Sequence, residues 1–131
     1  MRKDIVIPEV KDVYLAAVRE FNADFNTHDW NAYLINAGQD ALETVIIVSE
    51  GYDDLDRTSL MRRTIKELPP LSYAKVEFLE DSVLRLANYF SVTYFQGSQL
   101  FDKRFELPAH SVIEDNATEL PVMGRAGVLA R

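Results

Sequence analysis

Six side chains beside one acidic loop are the best equipped for chemistry in this sequence: Ser49, Tyr52, Asp53, Thr58, Ser59 and Arg62. They offer hydroxyls, an aromatic ring, a carboxylate and a guanidinium within one short stretch. Such a set suits a small polar ligand, a sugar for instance, held by hydrogen bonds against an aromatic face. The loop itself, Gly51-Tyr52-Asp53-Asp54-Leu55-Asp56, carries carboxylates of the kind hard cations take. It lacks the Asp-x-Asp-x-Asp-Gly spacing and the closing glutamate of an EF-hand, so it reads as a solvated turn and no metal ligand is assigned.

Other reactive constellations are missing a member. Ser49-Glu50-Gly51 is no nucleophile elbow, because position 47 is Ile where that motif needs Gly. The chain has no cysteine, which removes thiolate catalysis, thiolate metal sites and disulfides. Its five glycines are scattered among turns and form no phosphate cradle. His28 and His110 are the only histidines, and a zinc site would need a third group such as Asp29, Glu114 or Asp115. They read as surface or capping residues. Asn116-Ala117-Thr118 matches a glycosylation sequon by chance. No catalytic residue and no cofactor is assigned, and an enzyme is the least favoured reading.

These side chains need a frame, and the frame is written in period-two alternation. Residues 30–36 place Trp30, Ala32 and Leu34 on one face. Residues 42–50 are dense in β-branched Thr44, Val45, Ile46, Ile47 and Val48. Residues 58–68 form a strand with a polar face of Thr58, Arg62, Thr64 and Lys66, ended by Pro69-Pro70. In 72–79 the alternation predicts Ala74, Val76 and Phe78 inward, Lys75 and Glu77 outward. Residues 80–87 read as a short helical turn capped by Glu80, Asp81 or Ser82. Residues 88–96 and 99–107 make a hairpin across Gly97-Ser98. Residues 10–21 fit strand or helix, and the strand neighbours favour strand. The spacing predicts an all-β, immunoglobulin-like antiparallel β-sandwich of seven to eight strands with one short helical turn. It forms a single domain over 1–131, with an extended arm at 1–9 and a tail at 109–131 packing on the sandwich or on a partner.

Fourteen Lys and Arg against twenty-one Asp and Glu give a net charge of −7, which disfavours nucleic acid. No stretch approaches the roughly 20 apolar residues of a membrane span. The apolar run after Met1 is too short for a signal peptide, so a cytoplasmic location is expected. Seven Phe, six Tyr and one Trp leave the closing hairpin aromatic on both faces, with Tyr89, Thr93 and Phe95 on one of them. One face packs in the core; the other, that set or its opposite, is expected to be covered by the tail or by a partner, which points to a homodimer through a sheet face or edge. The reading is a binding or assembly domain; the alternative is a polar-ligand or carbohydrate module at the loop end near Tyr52.

Two resemblances accompany this reading. Segments 74–78, 83–87, 89–95 and 100–107 resemble the second half of an immunoglobulin or fibronectin type III domain, with Tyr89 where such folds place a corner tyrosine. Five further segments are similar to a small uncharacterised family of bacterial, Bacteroidetes-type proteins: Asp29 through Asn36, Ser49-Glu50-Gly51-Tyr52, Pro69-Pro70-Leu71-Ser72, Phe101 through Phe105, and Thr118 through Pro121. That resemblance implies no site residues.

Overall fold

The computed structural model describes residues 8–58 and 60–131. Two antiparallel sheets face each other across an apolar core. The strands are β1 (Val13–Asn22), β2 (Thr27–Asn36), β3 (Leu42–Tyr52), β4 (Met61–Leu68), β5 (Ser72–Leu79), β6 (Ala87–Gln96), β7 (Gln99–Leu107), β8 (Thr118–Glu119) and β9 (Ala126–Leu129). One sheet runs β5-β2-β1-β9-β8 and the other β4-β3-β6-β7. With β8 and β9 set aside, β1-β2-β5 against β4-β3-β6-β7 is an immunoglobulin-like order, with hairpins within sheets and crossings between them. Residues 10–21 are strand and not helix, because β1 pairs with β2 along its whole length.

Local chemistry sets the connections. Asp24 donates its backbone N–H to Asn22 Oδ1 at 3.0 Å, and Asn26 takes φ 53°, which turns β1 into β2. Gly97 at φ 62° makes the β6–β7 hairpin. Asn36 is fully buried and ties two crossings together. Its Nδ2 donates to the carbonyls of Asp40, Leu68 and Pro69 at 2.9, 3.1 and 3.0 Å, and its Oδ1 accepts from Gly38 N–H at 3.0 Å. The short helix α1 (Asp81–Leu84) follows Glu80, which makes no side-chain cap bond, so the expected cap does not form.

The core holds Leu15, Ala17, Leu34, Val45, Ile47, Phe90, Val92, Tyr94, Phe105 and Leu107, all inward by alternation. One strand departs from its predicted phase. The β2–β5 ladder shifts between Ala32 and Tyr33, so Val76 is an extra residue in β5. A bulge of this kind flips every later side chain to the other face. Val76 and Leu79 are buried, Glu77 turns inward, and Phe78 faces solvent at 49% exposure. The predicted inward Phe78 and outward Glu77 are therefore exchanged.

The tail lies on the five-stranded sheet of its own chain. Leu120 and Met123 pack over Ala16, Val18 and Ile35 on the outer side of β1 and β2. β9 pairs with β1, and the backbone of Arg131 exchanges two hydrogen bonds with Glu106 on β7. The arm at 1–9 lies outside the described residues up to position 7. No helix among the described residues is long and apolar enough to cross a membrane.

Candidate functional site

The six candidate residues divide between two sides of the four-stranded sheet. Ser49 is inward on β3 and buried, and its Oγ donates to Glu77 Oε1 on β5. Thr58 Oγ1 accepts from Gly51 N–H at 2.8 Å, while Thr58 N–H donates to Gly51 O at 2.7 Å, closing the acidic loop. Ser49 and Thr58 share a cleft of about 250 Å3 with Met61, Glu77 and Asn88, between the β4 and β5 edges. Arg62 lines its neighbouring mouth with Ser49 and Glu77. Ser59 lies outside the described residues. Tyr52 and Asp53 belong elsewhere, so the six do not form one site.

Asp53 is spent on its own loop. Its Oδ1 accepts from the N–H groups of Leu55 and Asp56 at 2.8 and 2.7 Å, and its Oδ2 meets Arg85 at 3.4 Å. Those backbone donors, and then Arg85, hold its carboxyl below the usual range. Arg85 also bridges to Asp56 at 2.8 Å. No group of three or more His, Asp or Glu among the described residues is placed to hold a metal ion.

Glu77 is the cleft residue that alternation missed. Burial pushes its carboxyl up, and the Ser49 hydroxyl only partly offsets that. A serine donating to a carboxylate lacks the triad's orienting logic unless a third group aligns them. The His28 ring lies tilted against Phe21, with centroids 5.3 Å apart, and His110 donates its backbone N–H to Leu84 O; neither lines the cleft. The pair therefore reads as a satisfied interior contact and not as a nucleophile.

The larger feature is the outer face of β4-β3-β6-β7, which no segment among the described residues covers. Tyr52 stacks on Tyr89 at 5.1 Å, with the ring planes 22° apart. Arg104 lies 3.9 Å over the Tyr89 ring and donates to Tyr52 Oη at 3.3 Å. Tyr89 Oη donates to Glu106 at 3.3 Å, which is no tyrosine corner, since that motif bonds upstream backbone. In the middle, Ile46 pairs with Thr93 and Thr64, and Val48 with Ser91 and Arg62. Val45 and Ile47 fill the core, so Ile46 and Val48 face out. Phe95 and Leu100, paired across the hairpin, are 38% and 49% exposed at the far end. The tail covers the opposite sheet, and no described residue covers this face.

Compared with known proteins, the chain matches no family model, no curated protein and no solved structure. The likeness to a bacterial family thus gains no support, and the functional reading rests on geometry.

Proposed function

We propose that the protein acts by association, and that its binding surface is the outer face of the four-stranded sheet, applied to the same face of a second copy. The carrying observation is the pair Ile46 and Val48, branched apolar side chains on the solvent side of a central strand. Solvated sheet faces are ordinarily polar at such positions. At the borders, β4 contributes Arg62 and Lys66, and β7 contributes Asp102, Arg104 and Glu106. A two-fold axis along the strands, between β3 and β6, sets β4 of one copy over β7 of the other, as an isologous contact requires. Ile46 and Val48 of each copy are then buried against Thr93 and Ser91 on β6 of the other. The Tyr52–Tyr89–Arg104 stack is already ordered, and aromatic and Arg residues of that kind dominate interface energetics.

Light scattering across a concentration series tests this. The wild-type chain is expected to be dimeric in the micromolar range, and Val48→Arg monomeric and still folded by circular dichroism. Ile46→Arg is expected to weaken the dimer likewise. A monomeric wild type, or a dimer indifferent to both single substitutions, overturns the reading.

A further inference from the structure

A concavity of about 680 Å3 lies on the other sheet, at the free end of the β1–β2 hairpin. That is within the range of small-molecule sites. Its floor comes from three adjacent strands: Glu20 on β1, Asn31 on β2 and Lys75 on β5. Phe78 walls one side, turned outward by the bulge at Val76. Phe25, 76% exposed on the hairpin turn, walls another.

The valences of this groove are mostly spent, which makes the remaining ones informative. Glu20 takes three donors: Tyr33 Oη at 2.7 Å, Asn31 Nδ2 at 2.8 Å and Arg125 at 3.0 Å. Asp29 takes Asn22 Nδ2 and Thr27 Oγ1, each at 3.0 Å. Asn31 is 5% exposed, and its Oδ1 is buried with no hydrogen-bond partner. The amide cannot be turned over to relieve this, because Glu20 accepts only and must face Nδ2. Buried polar atoms are nearly always satisfied, so an orphan acceptor beside an open groove calls for a donor from outside. Lys75 is exposed and has no ion-pair partner among the described residues.

What is left to offer is one amide acceptor, one ammonium donor, the Asp24 carboxylate and the rings of Phe21, Phe25 and Phe78. An anion would meet Glu20, Asp24 and Asp29, and a cation would find those of Glu20 and Asp29 already hydrogen-bonded. We infer that this groove binds a neutral carbohydrate ring, with a sugar hydroxyl donating to Asn31 Oδ1, another accepting from Lys75, and the C–H face laid on Phe78. Phe78 pairs directly with Asn31 across β2 and β5.

The test is an amide chemical-shift titration of the full chain with glucose, galactose, mannose, N-acetylglucosamine and their disaccharides. Glutamate, lysine and adenosine monophosphate form a second panel. At least one neutral sugar is expected to shift residues 20–31 and 75–78 and to leave β3, β4, β6 and β7 unmoved. Asn31→Leu is expected to weaken that sugar at least tenfold, and the surface variant Phe78→Ser to do the same should Asn31→Leu fold poorly. Shifts with the charged panel alone, no shifts in the groove with any sugar, or sugar affinity unchanged in both variants would each overturn the inference.

Discussion

Replacing Gly127 with alanine probes how the tail is held against its own sheet. A Cβ built at Gly127 would stand 2.7 Å from the Ala17 carbonyl oxygen, 2.7 Å from Leu120 Cδ1 and 3.2 Å from Val18 Cγ2. Comfortable contacts lie at about 3.5–4.0 Å. The leucine tip can rotate away, but the carbonyl belongs to β1, itself locked between β2 and β9. β9 must therefore lift by roughly 0.7 Å, and overpacking of this kind costs about 1–3 kcal/mol. Lifting β9 also loosens Leu120 against Ala16, Val18 and Ile35; losing part of one leucine's burial adds about 1 kcal/mol. The sum is roughly 2–4 kcal/mol, which in a chain of this size lowers the melting temperature by about 10 °C. Gly38→Ala is the control, since its nearest neighbours would sit at 3.4 and 3.6 Å, ordinary contact distances. Calorimetry of the three proteins decides it. If Gly127→Ala melts with the wild type while Gly38→Ala does too, β9 is not pinned on β1 and the tail packs elsewhere.

Three further outcomes follow from buried polar groups. Asn36→Ala strands the buried Leu68 carbonyl and unties both crossings, at roughly 3 kcal/mol by urea denaturation. Loss of less than a third of that would show that water replaces the amide. Glu77 has a raised folded-state pKa, so its contribution is fully present below the ordinary value of 4.5 and is lost as pH rises through the folded value. Glu77→Gln should accordingly match the wild type near pH 4 and exceed it in melting temperature at pH 7; a gap that narrows with pH contradicts the buried placement. Burial first, and then the Glu20 carboxylate, pushes the Tyr33 phenol to about 12, and burial alone does the same for Tyr94. Stability from both is full below pH 10 and lost as pH rises through about 12. Phenolate absorbance should show two late steps, one absent in Tyr33→Phe and one in Tyr94→Phe; ionisation of either with the exposed tyrosines would refute its environment.

The sandwich was legible because both of its signals are local. The β-branched stretch at 44–48 and the turn at Gly97 need no knowledge of distant chain, and the order of strands and turns follows from them. Ser49 could be placed inward from its neighbours Ile47 and Gly51. Glu77 could not, since Ala74, Val76 and Phe78 alternate cleanly and hide the extra residue. The one available signal was Leu79 directly after Phe78, two large apolar side chains that cannot both face inward in a regular strand. The outward Ile46 and Val48 stood in plain view within the run 45–48, but the aromatic hairpin drew the expectation toward Tyr89 and Phe95. The groove was invisible for a different reason. Glu20, Asn31, Lys75 and Phe78 come from three strands, and only the pairing register brings them together.

The bulge at Val76 also says how this sheet can change over generations. Because one surplus residue sets the phase of everything after it, losing Val76 leaves Glu77 opposite Ala32 and Phe78 opposite Asn31, while a substitution there leaves the count intact. Homologous chains that keep the groove are expected to align with a gap confined to position 76, an aromatic residue still at 78 and a large apolar one at 79. A lineage that loses a second residue between 75 and 78 would carry its aromatic ring into the core and lose the wall of the groove in one step.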